Sequence, residues 1–198
     1  ISDLTFLVFM VLVPVLITGG IHMDGFMDTQ DALSSYQPKE RRLEILKDSH
    51  AGAFAILSCT VYFLCCTAIY ASLTERSVKV TALGFLLSRT LSGLSVVTFP
   101  QAKKDGLAAT FAENAAKKTV RSVLGCYLVI LCGVLIVAGK GAGTAAVAAA
   151  GTVFFCYYRM SLKNFGGITG DLAGYFLQMC EIWIAAAAVG ADILLTNI

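Results

Sequence analysis

The sequence predicts an all-α integral membrane protein, a polytopic helical bundle with about six transmembrane helices. Of its 198 residues, 57% are hydrophobic and only 14% are charged, and the mean hydropathy is +0.77. A soluble domain usually has about a quarter of its residues charged. The apolar residues are gathered in runs of roughly 20, the length that crosses a bilayer. Membrane lipid is therefore the expected partner of most of the surface.

We expect six transmembrane spans in one domain over residues 1–198. The predicted spans are the apolar segments 1–20, 51–73, 78–99, 122–139, 142–158 and 172–196. The fifth is short and rich in small residues, which favours close packing between helices. The stretch YQPKERRLEILKD favours a surface helix that begins near Pro38 and turns Leu43 and Leu46 inward. The chain begins at Ile1 without a basic leader, so we expect no signal peptide and leave room for a preceding N-terminal portion.

The distribution of basic residues orients the predicted spans. The loops 21–50, 100–121 and 159–171 carry eleven of the Lys and Arg residues, and the alternate loops carry three. By the positive-inside rule the first set faces the cytoplasm, across a cell (inner) membrane. Every polar motif described below lies in that set, so we expect a cytoplasmic active site. The net charge of +2 gives no indication of a nucleic-acid partner, and the seven cysteines, in apolar runs without a CxxC spacing, indicate neither a disulfide framework nor a zinc site.

The stretch GGIHMDGFMDTQDAL carries the first candidate site. Asp24, Asp28 and Asp31 stand at i, i+4 and i+7, within a narrow stripe of a helix. Like charges at this spacing repel, and a divalent cation with hard oxygen ligands would offset the repulsion. We therefore predict Mg²⁺ bound by these carboxylates; the alternative is a solvated interfacial face. His22, about 160° from Asp24 at 100° per residue, is a further candidate for substrate binding.

A second acidic position follows in EILKDSHAGAFA, just before the second span. Lys47 is predicted to hold a phosphate and Asp48 to complete the metal shell. The alternative is a snorkelling lysine beside a helix-capping aspartate.

The third candidate element is the glycine-rich stretch NFGGITGDLAG before the last span. Four glycines, at positions 166, 167, 170 and 174, would let backbone amides approach a ligand closely, and Asp171 opens a helix whose N-terminus favours phosphate. A structural turn is the alternative. Together with a metal-binding acidic stripe on the same membrane face, the loop points to a diphosphate substrate.

Two ionisable residues, Arg89 and Glu181, lie inside predicted spans. Each is ten residues from the cytoplasmic end of its span, so both lie roughly 15 Å deep at 1.5 Å per residue. Intramembrane charges are costly unless they are paired or face a polar cavity. A structural salt bridge and a role in a substrate cavity both remain open.

Taken together and in order, these motifs resemble the cobalamin synthase (adenosylcobinamide-GDP ribazoletransferase) family. The motifs are GGIHMDGFMDTQDAL, EILKDSHAGAFA, the lysine-rich QAKKDGLAATFA and GGITGD, spread over about residues 20–175. The resemblance implies an integral membrane transferase that uses Mg²⁺. It implies attack by the hydroxyl of α-ribazole 5'-phosphate, or of α-ribazole, on adenosylcobinamide-GDP, with release of GMP and formation of adenosylcobalamin 5'-phosphate or adenosylcobalamin.

The resemblance also implies roles for individual residues. The acidic motif of the family falls on Asp24, Asp28 and Asp31, and the Lys–Asp pair falls on Lys47 and Asp48. The implied metal ligands are Asp24, Asp28, Asp31 and Asp48, and the implied catalytic residues are Asp24, Asp28, Lys47 and Asp48. The substrate-binding candidates are His22, Asp31, Arg89, Lys103, Lys104, Gly166, Gly167, Thr169, Gly170, Asp171 and Glu181. Where many members have an arginine after KDS this chain has His50, so an arginine–phosphate contact is not carried over.

Other functions fit parts of the pattern. A CDP-alcohol phosphatidyltransferase also has an Asp-rich motif at the membrane edge, but DGFMDTQDA lacks its Ala-Arg pair and its longer spacing. A prenyltransferase would need a second acidic motif. A cation transporter would use Asp24, Arg89 and Glu181 to line an ion path. The location of all the motifs on one side of the membrane argues against a transporter. The sequence leaves the oligomeric state open, a homo-oligomer included.

Overall fold

The computed structural model describes residues 2–102 and 116–196, and within those ranges the chain is all-helical, as predicted. It forms seven helices and no strand there: α1 (Asp3–Thr18), α2 (Ile21–Ser34), α3 (Lys39–Ile45), α4 (Ala53–Ala71), α5 (Glu75–Thr98), α6 (Lys117–Phe165) and α7 (Gly170–Thr196). A single parallel bridge joins Gln101 to Ile168.

The helices confirm a membrane protein but do not establish six spans. Among the described residues, α4, α5, α6 and α7 are long and apolar enough to cross a bilayer. Helices α1 and α2 reach the length and hydropathy of a span only when they are taken together, and the angle of the bend between them is 91°. With α6 counted as one helix, the described residues thus hold four candidate spans, or five if the bent pair is one broken span.

The predicted spans 122–139 and 142–158 form the two arms of α6. Lys140 interrupts its 49 residues with φ 50° and ψ −129°. A Cβ built on Gly143 would lie 1.7 Å from the carbonyl oxygen of Leu135, although eight residues of straight helix span about 12 Å. The chain therefore folds back at Lys140, and residues 117–139 and 141–165 form two adjacent arms. The single label α6 covers both.

Replacing Lys140 with glycine is expected to stabilise the protein. A non-glycine residue at this φ and ψ carries strain on the order of 1–3 kcal/mol, of which glycine would recover about 1 kcal/mol after its own entropic cost. Thermal unfolding in detergent measures the change. Lys118→Gly, at a helical position in the first turn of α6, is the control and should destabilise by up to about 1 kcal/mol. Equal losses in both variants would contradict the interpretation.

The core is built around α7. Phe176, Cys180, Ile184 and Ala188, four residues apart, have no exposed surface, so one complete stripe of the helix is buried. That stripe belongs to the same buried cluster as residues of α5 and of both arms of α6. Helices α2 and α4 meet α7 at a second, smaller cluster. α7 thus connects the acidic helix α2 with the rest of the bundle.

The predicted surface helix is confirmed as α3. Pro38 is its N-cap, Leu46 is 5% exposed and Leu43 packs against the core. Arg42 Nη1 donates a hydrogen bond to Asn164 Oδ1, which ties α3 to the end of α6. The segment between α2 and α4 therefore lies at the same end of the bundle as the GGITGD loop.

Candidate active site

The predicted acidic stripe lies on a real helix at the edge of the bundle. Gly19 and Gly20 have φ of 62° and 80°, and these left-handed residues produce the sharp bend from which α2 departs. Met23, Gly25 and Phe26 of α2 are buried, whereas Asp24 is exposed and Asp28 is half-buried. α2 alone is not one of the four candidate spans. The carboxylates therefore lie on a helix that does not by itself reach the length and hydropathy of a span, and they are less buried than Met23 and Phe26.

Asp31 is occupied in holding α4. Its Oδ2 accepts the N–H of Gly52 at 2.5 Å and its Oδ1 accepts the N–H of Ala55 at 2.8 Å. A carboxylate at the N-terminus of a helix satisfies free amides and the helix dipole. The structure therefore gives Asp31 a structural role that the spacing of the aspartates did not reveal, and its role as a metal ligand remains a prediction.

Asp28 has a strongly raised pKa, to which the other acidic residues contribute. Burial raises the pKa of its carboxyl, and the negative charges of Asp24, Asp171, Asp31 and Asp48 raise it further, to about 7. These carboxylates belong to three separate motifs, and each is close enough to Asp28 to repel its charge. The structure therefore gathers the three predicted motifs into one acidic site.

Asp48 and Lys47 lie in the exposed turn after α3. Asp48 Oδ1 accepts the backbone N–H of His50 at 3.0 Å and lies 2.8 Å from His50 Nδ1. The hydrogen bond from the His50 side chain, together with that from its backbone, lowers the pKa of Asp48. This residue therefore keeps its negative charge, while Lys47 is exposed beside it.

Helices α2 and α7 touch backbone to backbone at Gly25. A Cβ built on Gly25 would lie 2.6 Å from the carbonyl oxygen of Asp171, and one built on Gly174 would lie 3.1 Å from that of His22. We define this contact, Gly25 and His22 against Asp171 and Gly174, as the α2–α7 seam. A glycine inside a predicted helix is a signal of close packing, and Gly25 between two aspartates is the site residue that the motif analysis overlooked.

Gly25→Ala is expected to impair the protein strongly because its methyl group meets backbone atoms that cannot move aside. We expect a loss of about 1–3 kcal/mol in the free energy of unfolding and at least a tenfold loss of turnover as α2 shifts away from Asp171. The control is Gly125→Ala in α6, where a Cβ would meet nothing within 4 Å. Thermal unfolding and turnover of both variants test this; a Gly25→Ala protein indistinguishable from Gly125→Ala would show that the seam is not tight.

The first two glycines of GGITGD have structural roles. Gly166 ends α6 with φ 79°, and its N–H bonds to Leu162 O. Gly167 donates its N–H to Ser161 O, and a Cβ there would lie 2.5 Å from Pro100 O. The amides expected to approach a ligand are therefore already used at Gly166 and Gly167.

The last part of the loop starts α7. Thr169 Oγ1 accepts the N–H of Leu172 at 3.3 Å and lies 3.3 Å from Asp171 Oδ2, so Thr169 caps the helix. Gly170 and Asp171 occupy its first turn, where backbone N–H groups and the helix dipole favour anions. The part of the motif that remains suited to phosphate is therefore the N-terminus of α7.

Arg89 and Glu181 form the predicted pair. Arg89 Nη1 lies 2.5 Å from Glu181 Oε1, which also accepts a hydrogen bond from Ser88 Oγ at 3.0 Å. The Glu181 side chain is 5% exposed and that of Arg89 is 39% exposed. Burial, and then the positive charge of Arg89, lower the pKa of His22 at the start of α2. The salt bridge is confirmed, and the substrate-cavity role stays a prediction.

Lys103 and Lys104 lie outside the described residues. Within the described ranges, no three or more His, Cys, Asp or Glu side chains are arranged to hold a metal ion by themselves. Mg²⁺ commonly takes only one or two carboxylates and fills its other positions with water and substrate phosphates. A site of two aspartates completed by substrate is thus compatible with this arrangement.

Fold and site together define a helical membrane protein with a carboxylate-rich site at one end of its bundle. The family described as Cobalamin-5-phosphate synthase matches residues 1–189, and the chain belongs to this family. It is therefore a transferase of cobalamin biosynthesis.

Three similar proteins carry one common name. An adenosylcobinamide-GDP ribazoletransferase from Lachnoclostridium phytofermentans is 48% identical over 180 residues, which cover 91% of this chain and 69% of that protein. Proteins of the same name from Geobacillus sp. (strain WCH70) and Clostridium perfringens (strain SM101) are 36% and 34% identical, over 85% of this chain in each case and over 66% and 68% of the relatives. No solved structure matches the chain.

Proposed function

We propose that this chain joins α-ribazole 5'-phosphate, or α-ribazole, to adenosylcobinamide-GDP and releases GMP. Three relatives are named for adenosylcobinamide-GDP and ribazole transfer. The observation that carries the proposal is the acidic site around Asp28, assembled from three separate segments at the N-terminus of α7. A diphosphate is the substrate class that carboxylate-held cations and a helix N-terminus bind together.

Mg²⁺ is the cofactor we propose, with Asp24 and Asp28 as its protein ligands. The donor chemistry fits, because both are hard oxygen ligands one helical turn apart. Burial, and then repulsion from the neighbouring carboxylates, raises the pKa of Asp28 to about 7, and a bound cation would offset the repulsion. Asp48 and Asp171 lie near enough to contribute through their charge. When bound, the ion neutralises charge on the diphosphate.

The residues of the chain then position a displacement at phosphorus. The ribazole hydroxyl oxygen forms a bond to the phosphorus next to cobinamide, the bond from that phosphorus to the oxygen of GMP breaks, and a carboxylate of the acidic site accepts the hydroxyl proton. The first-turn amides of α7 and the ammonium of Lys47 stabilise the charge that develops on departing GMP. Catalysis here consists mainly of positioning and electrostatics.

We also propose that the acidic site faces the cytoplasm across the inner membrane. The supporting observation is the excess of Lys and Arg in the loops that carry the site. GMP and a nucleotide-activated corrinoid would then be exchanged with the cytoplasm.

One assay tests the proposed reaction. Detergent-solubilised protein is incubated with adenosylcobinamide-GDP, α-ribazole 5'-phosphate and MgCl₂, with EDTA in a parallel sample, and GMP and the corrinoid product are separated by chromatography. We expect equimolar GMP and adenosylcobalamin 5'-phosphate in the first sample and neither in the second. Folded protein that forms no product in MgCl₂ would contradict the substrate, and equal product in EDTA would contradict the metal.

The pKa of Asp28 predicts how stability depends on pH in EDTA. The pKa is 3.8 for an ordinary aspartate and about 7 in the folded protein, so between these values the folded state binds more protons than the unfolded state. The free energy of unfolding should therefore fall as pH rises from about 4 to about 7 and level off above that. Asp28→Asn should flatten this decline, and saturating Mg²⁺ should reduce it. Thermal unfolding from pH 4 to 8 measures the effect; identical pH profiles for wild type and Asp28→Asn would contradict it.

A further inference from the structure

A polar cavity lies at the end of the bundle opposite the acidic site. It has a volume of about 450 Å³, and its lining residues are Thr74, Glu75, Arg76, Lys79, Ala138 and Asp192. The start of α5, the end of the first arm of α6 and the end of α7 meet there. Arg76 and Lys79 also belong to the minority of basic residues that the sequence places on the face with fewer positive charges. Because charged side chains line this cavity at the helix ends, it is suited to a polar ligand.

One side of the cavity is rigidly built. Asp192 is 3% exposed; its Oδ2 accepts the hydroxyl of Thr74 at 2.5 Å and its Oδ1 lies 3.4 Å from Arg76 Nη1. Thr74 and Ser77 in turn exchange the reciprocal bonds of a capping box at the start of α5. The Asp192 carboxylate is thereby held in place at one wall, with the Arg76 guanidinium beside it.

The other side can rearrange at low cost. Lys79 Nζ lies 2.7 Å from Glu75 Oε1, and the two side chains are 72% and 89% exposed. An exposed pair one turn apart on a helix contributes little to stability. Glu75 and Lys79 can therefore exchange their mutual contact for contacts with a ligand.

The surroundings identify where the ligand comes from. Exposed apolar side chains flank the cavity on all three helices, among them Val78 of α5, Val137 of α6 and Leu194 of α7. Such a surface faces lipid tails, and the charged cavity at the helix ends stands at the level of headgroups. A molecule with apolar chains and a polar head fits both parts.

We propose that this cavity binds the headgroup of a phospholipid that carries both a phosphate and a primary ammonium, such as phosphatidylethanolamine. The lining offers two cations, Arg76 and Lys79, and two carboxylates, Glu75 and Asp192. The cations match the phosphate, and a primary ammonium can donate hydrogen bonds to Glu75. A quaternary ammonium has no N–H to donate, and an anionic glycerol headgroup has no cation to place beside the carboxylates.

Native mass spectrometry with defined lipids tests the proposal. The detergent-solubilised protein is titrated with phosphatidylethanolamine, phosphatidylcholine and phosphatidylglycerol of identical acyl chains. We expect phosphatidylethanolamine to bind about tenfold more tightly than either of the others, the effect of one charge-assisted hydrogen bond. Equal binding of all three lipids, or tightest binding of phosphatidylglycerol, would overturn the proposal.

Paired variants locate the binding. Glu75→Gln combined with Lys79→Gln removes the exchangeable pair without exposing Asp192 and should abolish the preference for phosphatidylethanolamine. Glu40→Gln combined with Lys118→Gln makes the same chemical change at exposed positions at the other end of the bundle and should leave the preference intact. A preference that survives in the first double variant would assign the lipid to another surface. Both readouts are independent of transferase activity.

Discussion

Asp28→Asn is expected to reduce turnover by about a thousandfold or more while the protein remains folded. Four other carboxylates act on the charge of Asp28, and Asp28 would be a ligand of the bound Mg²⁺, so its loss would remove charge where the diphosphate is activated. Folding should not suffer, because asparagine keeps the shape of the side chain and relieves the repulsion. Turnover, the Mg²⁺ concentration for half-maximal rate and thermal unfolding are measured together.

The control for this variant is Glu40→Gln, which removes an exposed carboxylate of α3 at the same end of the bundle. It should leave turnover within about twofold of wild type, as surface substitutions away from a site usually do. Asp28→Asn protein that retains more than a tenth of wild-type turnover would remove Asp28 from the site. Loss of turnover accompanied by unfolding would instead make its role structural.

Arg89→Leu is expected to destabilise the protein more than Glu181→Leu. Removing Arg89 leaves the 5% exposed carboxylate of Glu181 with its hydrogen bond from Ser88, whereas removing Glu181 leaves a guanidinium that is 39% exposed. An uncompensated buried charge costs about 3–5 kcal/mol. We therefore expect a loss near that range for Arg89→Leu and a smaller loss for Glu181→Leu, measured by equilibrium unfolding in mixed detergent micelles.

The double variant separates the two roles that remain open for this pair. Arg89→Leu combined with Glu181→Leu should recover most of the lost stability, because both charges are gone. If the pair is structural, turnover should recover with stability. If Arg89 also contacts substrate, the double variant should fold and remain slow. Strictly additive losses in stability would contradict a direct interaction.

The sequence predicted those features that depend on local periodicity or composition. Apolar run lengths located the helices, and the i, i+4, i+7 spacing predicted the stripe that α2 displays. Pro38 as a helix start and Leu46 as an inward-facing residue predicted α3. Each of these inferences uses residues within one or two helical turns, where geometry is regular.

Features that depend on distant contacts were not predictable in this way. Asp31 belongs to the same stripe as Asp24 and Asp28, but its hydrogen-bond partners Gly52 and Ala55 lie at the start of another helix, α4. Gly166 and Gly167 have the composition of a ligand-binding loop, yet their amides close the end of α6. The expected count of six spans met one obstacle, the bend between α1 and α2, which depends on backbone torsions that hydropathy does not record.

The α2–α7 seam has a mechanical consequence. Backbone atoms in direct contact cannot slide past one another without separating, so the acidic helix and the last helix should move as one rigid body. A bulky corrinoid must then be admitted by movement elsewhere. Among the described residues, the turn that carries Lys47, Asp48 and His50 is exposed and so has few packing constraints. The α2–α7 seam would thus hold the diphosphate in a fixed position, and the exposed turn after α3 would move to accommodate the large substrate.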